Sequence, residues 1–319
     1  MTYEPYEILG ADRPGRWLIT CDHAANTVPP FVNDGQLGLA AGDMNRHIAY
    51  DVGAAGVTRA LAAELNAPAI LSNFSRLVID PNRGEDDPTL LMRLYDGTII
   101  PANRHADQAE LERRLNRCYR PYHTALAQLA ARQENTVIIS IHSFTRQLQG
   151  REPRPWQIGV LYAADTRLSV PLIRRLEQEP DLCVGENEPY GGHLPGDAIA
   201  RHAIAYERQN TLIELRNDWS QSVAALSRTT ERMRQQNRIL TQMRQRASQP
   251  GSGRAPHPWQ IDVETARFWL RVADTWRERG EWLANVLAWS VVEPEYLVDR
   301  FRDSNLAQEN AICAPLYEC

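Results

Sequence analysis

The segment VIISIHSFTR, residues 137–146, joins an apolar run to a polar end. Residues 137–141 are mostly β-branched and apolar, which is typical of a buried strand. His142, Ser143 and Arg146 follow where the strand is expected to end. Polar residues often follow a strand simply because the chain returns to solvent. A strand can also deliver a histidine to a reaction centre, and both interpretations are open at this point.

Apolar segments of this kind alternate with helical patterns along the chain. Strands are predicted at 17–20, 68–73, 156–165 and 210–218, and a further apolar segment opens into a loop at 75–88. Helical spacing predicts helices at 44–66, 104–133, 166–178 and 219–247, with Pro121 interrupting the second of them. This alternation predicts an α/β fold with a mixed β-sheet flanked by helices.

The carboxyl-terminal part of the chain has a different composition. Residues 247–258, ASQPGSGRAPHP, are typical of a linker, and residues 259–319 hold five of the eight tryptophans at helical spacing. We therefore expect an α/β domain at 1–246, a linker at 247–258 and a helical appendage at 259–319. Aromatic stripes on helices usually belong to a core or an interface rather than to a cofactor site.

Composition limits the classes of function. A hydrophobic content of 43% and a charged content of 24% are ordinary for a soluble globular protein, and a net charge of -5 argues against a dedicated nucleic-acid binder. No apolar run of about 18 residues predicts a membrane span. Five scattered cysteines without CxxC spacing, and an N-terminus unlike a signal peptide, favour a cytoplasmic location. The chain has no lysine, which excludes Schiff-base catalysis and the P-loop lysine.

Unusual polar groups lie at four predicted strand ends, one of them in the apolar segment that opens the 75–88 loop. They are Asp22-His23 with Asn26, Arg76 with Asp80-Pro81-Asn82-Arg83, His142-Ser143, and Glu214-Leu215-Arg216. Ligands of open α/β sheets bind at the carboxyl ends of strands, so these clusters are expected to meet in one cleft.

The residue types in these clusters suit metal-dependent hydrolysis. Two histidines and an oxygen ligand form a common catalytic zinc set, a nearby carboxylate serves as general base, and an arginine binds a substrate carboxylate. Each signal alone is weak. A histidine can simply end a strand, Asn82-Arg83 can be a turn with a solvated arginine, and Glu214 can be a structural ion-pair partner of Arg216.

The same segments resemble those of known metallohydrolases. ISIHSF resembles the segment that holds the last zinc histidine of the zinc carboxypeptidases, and LIELR resembles the strand of their catalytic glutamate. DPNR is similar to the Asp-x-Asn-Arg motif of the aspartoacylases, where the asparagine and arginine bind the substrate carboxylate. CDHAAN stands where these enzymes have His-x-x-Glu, with Asn26 in place of the glutamate.

A closer resemblance, over roughly residues 15–245, is to the N-formylglutamate amidohydrolase family. It rests on CDHAANTVP, SRLVIDPNR, YRPYHTAL, IHSFTR, RPWQIGVLY, GENEPYGG and LIELRNDW. The resemblance implies a fold like that of the zinc exopeptidases (a phosphorylase/hydrolase-like sandwich) and hydrolysis of a formyl amide. The implied cofactor is a divalent metal, with zinc expected.

We assign the site residues by this resemblance. His23 and His142 are expected to bind the metal together with Asn26 or Asp22, and Glu214 is expected to be the general base. Asn82, Arg83 and Tyr190 are expected to bind substrate, and Arg76 or Arg146 to stabilise the oxyanion.

The function predicted is a cytoplasmic metal-dependent amidohydrolase that converts a small N-acylated acidic amino acid, N-formyl-L-glutamate above all, to the acid and the free amino acid. One alternative is a metallo-carboxypeptidase or deacylase acting on another N-acyl amino acid or a peptide. Another is a non-catalytic binding protein on the same scaffold. No nucleic-acid or membrane partner is expected, and the oligomeric state is left open.

Overall fold

A seven-stranded sheet organises the molecule. The computed structural model describes residues 3–179, 182–192 and 194–220. The strands of the described residues, including two outside this sheet, are β1 (Tyr6–Leu9), β2 (Trp17–Cys21), β3 (Ala69–Ser72), β4 (Leu94–Tyr95), β5 (Thr98–Ile99), β6 (Val137–Phe144), β7 (Ile158–Leu161), β8 (Val184–Glu186) and β9 (Asn210–Arg216).

The sheet is mixed, with the order β1-β3-β2-β6-β9-β7-β8, and β4 and β5 form a separate hairpin. Strands β3, β2, β6 and β9 are parallel to one another, whereas β1 and β7 are antiparallel to their inner neighbours. The carboxyl ends of four adjacent strands therefore lie at the same edge. The five strands predicted at 17–20, 68–73, 137–142, 156–165 and 210–218 are present, and β1, β8 and the hairpin are additional.

Helices cover both faces of the sheet. They are α1 (Ala41–Met44), α2 (Ala54–Glu64), α3 (Pro101–Arg104), α4 (Gln108–Arg114), α5 (Arg120–Ala130), α6 (Ser169–Leu176), α7 (Ala198–His202) and α8 (Asn217–Ser220), with a π-helical stretch at Leu115–Tyr119. One core cluster contains Leu61 of α2 and Leu172 of α6, and the other contains Tyr122 and Leu126 of α5. The predicted α/β fold with a mixed sheet flanked by helices is confirmed.

The remaining predictions for the carboxyl-terminal part fall outside the described residues. These are the helix at 219–247 beyond residue 220, the linker at 247–258 and the appendage at 259–319. Within the described part of the chain, no helix has the length and the hydropathy needed to cross a bilayer.

Two sequence predictions of secondary structure were wrong. The helix predicted at 44–66 starts only at Ala54, after Gly53 with φ 88°, and Ile48 and Val52 precede it in an irregular stretch. The segment 75–83, predicted to contain a strand, forms turns without pairing to the sheet. The break predicted in the helix at 104–133 is present as the π-helical turn, and Pro121 lies in the first turn of α5.

Buried side chains replace strand pairing in the 75–83 segment. Asn103 Nδ2 donates to Leu77 O at 2.7 Å, and Arg114 Nη1 donates to Val78 O at 2.8 Å. His123 Nε2 lies 3.0 Å from Pro81 O. Buried backbone carbonyls need hydrogen-bond partners, so these donors fix the course of a segment that has no ladder of its own.

His123 is itself held by a second buried histidine. Its Nδ1 lies 2.9 Å from His202 Nε2, and the two rings are stacked. A carbonyl oxygen can only accept, so His123 donates to Pro81 O from Nε2 and accepts from His202 at Nδ1. Burial, with the charge of Arg201, lowers the pKa of His123 to about 3 and that of His202 to about 4.

Asn103→Ala should destabilise the fold substantially. The substitution leaves Leu77 O, Met92 O and the guanidinium of Arg114 without the partner that Asn103 supplies. Unpaired buried groups of this kind cost about 3 kcal/mol in unfolding free energy. Urea unfolding measures the loss. Asn116→Ala, which removes an exposed hydrogen-bonding amide, is the control and should cost about 0.5 kcal/mol or less.

The neutral histidine pair should make stability fall as the pH drops below about 6.5, the ordinary histidine pKa. Both folded-state pKa values are lowered, so the unfolded chain binds more protons below that pH, and stability is lost towards about pH 4. His123→Gln should therefore show a shallower fall in unfolding free energy between pH 6.5 and 4.5. The exposed His105→Gln is the control. Parallel curves for wild type and His123→Gln would contradict the neutral pair.

Candidate active site

The predicted histidine and glutamate emerge side by side from the centre of the sheet. His142 of β6 and Glu214 of β9 are register partners, so their side chains leave the same face. His23 lies just past the end of β2, the strand on the other side of β6. Parallel pairing of β2, β6 and β9 thus brings three chemically active side chains to one edge of the sheet.

The inner nitrogens of the two histidines converge on one carboxylate. His23 Nδ1 lies 3.3 Å and His142 Nδ1 2.9 Å from Asp51 Oδ2. One ligand atom from each of these three residues lies within 4.8 Å of the others, and all three residues are buried. Two imidazoles and a carboxylate converging on one point match the ligand set of catalytic zinc sites.

The outer nitrogens of the same histidines contact two further carboxylates. His23 Nε2 lies 2.7 Å from Asp80 Oδ1, and His142 Nε2 lies 3.1 Å from Ser140 Oγ and 3.3 Å from Asp22 Oδ2. Metal-binding histidines usually donate their second N–H to a carboxylate, which fixes the ring and leaves the other nitrogen with a lone pair. In their neutral forms, both rings would present Nδ1 as the ligand atom.

These outer carboxylates are themselves held in place. Tyr122 donates its hydroxyl to Asp22 Oδ1 at 2.6 Å. Arg76 donates from Nη2 to Asp80 Oδ2 at 2.8 Å and from Nε to the same oxygen at 3.2 Å. The Nη1 of Arg76 also lies 3.5 Å from Asp51 Oδ1, so one guanidinium connects two of the carboxylates.

The site buries more negative than permanent positive charge. Asp22, Asp51, Asp80 and Glu214 are all buried, and Arg76 is the guanidinium that pairs with two of them. Although burial alone would raise their pKa values, Arg76 and His23 hold the pKa of Asp80 well below its usual range. His23 and His142 lower the pKa of Asp51 in the same way against burial.

The pKa of His142 is shifted in the opposite direction, upwards. Burial disfavours its charged form, but hydrogen bonds to Asp22 and Asp51 raise its pKa well above the ordinary value. A buried imidazolium needs such partners. A divalent cation bound at the Nδ1 atoms would balance the negative charge of the same carboxylates, and both imidazole rings could then be neutral. The donor set therefore fits a divalent metal.

Glu214 has a different environment from the aspartates. Its Oε2 is buried without a hydrogen-bond partner among the described residues. Burial raises its pKa to about 7, against the lowering effect of His142. A carboxyl group with a pKa near neutrality can both take up and release a proton under ordinary conditions, which is what general acid–base catalysis requires.

Two of the predicted metal ligands have other contacts. The amide of Asn26 donates to Met44 O at 2.8 Å and to Asn45 Oδ1 at 3.2 Å. Asp22 lies at the outer nitrogen of His142, not beside Asp51. The carboxylate at the centre is Asp51, which sequence reasoning missed because it was assigned to a helix. The five-residue step from Val52 to Val57 fits no helical face and was the available signal.

Two of the predicted substrate-binding residues already form hydrogen bonds within the protein. Asn82 accepts a hydrogen bond from Ala198 N at its Oδ1, and Arg83 donates to Asn82 O and to Thr89 Oγ1. Tyr190 is 39% exposed. Arg146 is exposed past the end of β6, whereas Arg76 is engaged with Asp80.

Several known proteins are similar to this chain in sequence and structure. The model of the N-formylglutamate amidohydrolase family matches residues 15–219. A gene product of Agrobacterium tumefaciens of known crystal structure has 30% identity and a TM-score of 0.64, covering 72% of this chain and 95% of its own. An N-formylglutamate amidohydrolase from Ralstonia eutropha JMP134 has 24% identity and a TM-score of 0.50, covering 66% of this chain and 85% of its own, and supports the fold alone.

No curated protein is similar enough to match the chain. The family match nevertheless extends over more than half of the sequence and includes every predicted site residue. The chain therefore belongs to the N-formylglutamate amidohydrolase family, and it is a hydrolase that acts on amide bonds.

Proposed function

We propose that the protein is a divalent-metal-dependent amidohydrolase that cleaves the N-acyl amide of a small acidic amino acid, with N-formyl-L-glutamate as its substrate. The observation that carries the proposal is the convergence of two histidine Nδ1 atoms on Asp51, beside the carboxyl of Glu214, whose Oε2 has no hydrogen-bond partner in the described part of the chain. Cytoplasmic location remains a prediction of the amino-acid sequence.

We assign the metal to His23, Asp51 and His142, with zinc as the expected ion. Asp51 replaces both Asn26 and Asp22, because its carboxylate contacts both Nδ1 atoms. The amide of Asn26 contacts Met44 and Asn45 instead, and the carboxylate of Asp22 lies at Nε2 of His142. Asp80 and Asp22 then fix the two rings from their outer nitrogens. When bound, zinc supplies Lewis acidity towards a carbonyl group and makes water more acidic.

Glu214 is the proton carrier of the reaction. Its carboxylate takes a proton from the attacking water as the water oxygen bonds to the formyl carbon. The same carboxyl group then gives the proton to the amide nitrogen as the C–N bond breaks. Formic acid and the free amino acid leave, and formic acid loses the second water proton to solvent to become formate. Burial of Glu214 keeps bulk water from competing for this proton.

Arg76 orients the proposed metal ligand Asp51 and the outer carboxylate Asp80. Its three guanidinium contacts are with Asp80 and Asp51, which supports an orienting role for these carboxylates over the oxyanion role expected from sequence. The exposed position of Arg146 gives no support to an oxyanion role for that residue either.

Asn82 and Arg83 bind the α-carboxylate of the substrate. The Oδ1 of Asn82 already accepts from Ala198 N, so its NH₂ group is the part left to donate to a ligand. Arg83 uses Nε and Nη1 within the protein, which leaves Nη2 as its remaining donor. A fixed N–H pair of this kind suits a carboxylate.

The non-catalytic alternative had two reasons, Asn26 standing where a glutamate ligand was expected and the tryptophan-rich segment 259–319, which lies outside the described residues. Asp51 supplies a carboxylate from another part of the chain, which removes the first reason. The metallo-carboxypeptidase alternative is tested by substrate profile: a carboxypeptidase cleaves peptides with a free carboxyl terminus, whereas the proposed enzyme prefers N-formyl amino acids.

The wild-type protein should bind one zinc ion per chain. Asp51→Asn and His142→Ala each remove a proposed ligand, so both should lose stoichiometric zinc after reconstitution and dialysis, measured by elemental analysis. Asp86→Asn, an exposed carboxylate, is the control and should retain the ion. A wild type without bound metal, or an Asp51→Asn protein with full occupancy, would contradict the assignment.

Glu214→Gln should separate catalysis from metal binding. The amide has nearly the same shape but cannot carry the proton, so kcat should fall by about 10²–10⁴-fold at unchanged zinc content. The melting temperature should be retained, because Glu214 Oε2 has no partner to lose among the described residues. A less stable variant that keeps most of its kcat would assign Glu214 a structural role instead.

A further inference from the structure

A second guanidinium close to the site, that of Arg154, has no acidic partner among the described residues. Arg154 precedes β7, and its side chain donates from Nη1 to Tyr190 Oη at 3.1 Å and to Thr145 O at 3.2 Å. No carboxylate of the described residues forms an ion pair with it. Its Nε and Nη2 donors are left over from these contacts.

Two aromatic rings hold this guanidinium in place. The Cζ of Arg154 lies 5.6 Å from the ring centroid of Phe144 and 4.9 Å from that of Tyr190. Both distances are in the range of cation–π contacts, which restrict the side chain and leave the guanidinium edge free to donate. An ordered planar fork with spare N–H groups is the geometry that binds a carboxylate bidentately.

The aromatic clamp is next to the proposed reaction centre. Phe144 lies two residues beyond His142 on β6, so both side chains leave the same face of the strand. Burial raises the pKa of the Tyr190 hydroxyl, and the charge of Glu214 raises it further. The hydroxyl that orients Arg154 is thus within the electrostatic reach of the proposed base.

The surroundings of Arg154 are cationic. His47 is a half-buried neighbour whose pKa is lowered by burial and by Arg46, Arg76 and Arg154, with Asp96 acting in the opposite direction. Arg46 and Arg76 are paired with aspartates, whereas Arg154 is not. Arg154 therefore carries a positive charge beside the site that no carboxylate of the described residues pairs.

We propose that Arg154, held between Phe144 and Tyr190, binds the side-chain carboxylate of the N-acyl amino acid and so selects dicarboxylic substrates. The inference rests on the proposed amidohydrolase function and deepens it. With the α-carboxylate at Asn82 and Arg83, the enzyme recognises the two negative charges of its substrate with separate groups. Tyr190 takes part by orienting Arg154.

The test compares N-formyl-L-glutamate with N-formyl-L-glutamine, which differ only in the charge of the side-chain terminus. The zinc-loaded full-length protein is used as wild type, Arg154→Met and Arg154→Lys. Methionine fills the space between the rings without the charge, and lysine retains the charge without the fork. Arg208→Met is the matched control. Arg208 also stacks on a tyrosine ring, but it lies just before the first residue of β9, at the end of the strand away from Glu214.

The wild type should prefer the glutamate derivative, and Arg154→Met should reduce the preference in kcat/KM by about 10- to 100-fold, the usual value of a charge-assisted hydrogen-bond pair. Arg154→Lys should recover part of the preference, and Arg208→Met should keep all of it. The loss should appear mainly in KM, because the contact lies away from the reacting bond.

Calorimetric binding of both compounds to the same proteins distinguishes the two proposals. Selective binding of N-formyl-L-glutamate that weakens in Arg154→Met supports the role of Arg154 even if no turnover occurs, and only the hydrolytic proposal then fails. The proposed role of Arg154 is overturned by equal affinity for both compounds, by no binding of either, or by a preference that is unchanged in Arg154→Met. If the preference is unchanged but N-formyl-L-glutamate is still hydrolysed, the amidohydrolase proposal stands and only the role of Arg154 fails.

Discussion

The carboxylate of Asp51, buried between the Nδ1 atoms of His23 and His142, is the interaction on which the rest of the site depends. It draws two rings from separate strand ends towards one point. A carboxylate in that position is stable only if its charge is met, either by protonated rings or by a cation. The outer partners Asp80 and Asp22 then determine which nitrogen of each ring faces inward. A fold that buries so many carboxylates together is organised around positive charge.

The sheet accounts for part of this arrangement and the irregular segments for the rest. His142 and Glu214 are neighbours because β6 and β9 are parallel and in register. Asp80, by contrast, lies in the 75–83 segment, whose carbonyls are satisfied by Asn103, Arg114 and His123 instead of by a strand. Buried helical side chains thus perform for that segment the positioning that hydrogen-bond ladders perform for the strands.

These two kinds of support differ in how far the sequence predicts them. The strands around His142 and Glu214 were predictable because their apolar runs are local signals, and the family resemblance identified both residues. Periodicity could have excluded Asp51 from the helix but not shown its role, because that role depends on contacts with residues 28 and 91 positions away. The carboxylate that CDHAAN lacks at Asn26 is likewise supplied from a distant position. Arg154 begins the segment RPWQIGVLY that carries the family resemblance, but the segment gave no role for it, since its significance lies in the rings of Phe144 and Tyr190 around it.

Anomalous diffraction from zinc-loaded crystals, recorded on both sides of the zinc absorption edge, tests the central claim most directly. The account predicts a single strong peak within bonding distance of Nδ1 of His23, Nδ1 of His142 and a carboxylate oxygen of Asp51, with Asp80 and Asp22 still on the outer nitrogens. A peak bonded through Nε2 of either ring, a peak at Asn26, or no peak among these three residues would contradict it.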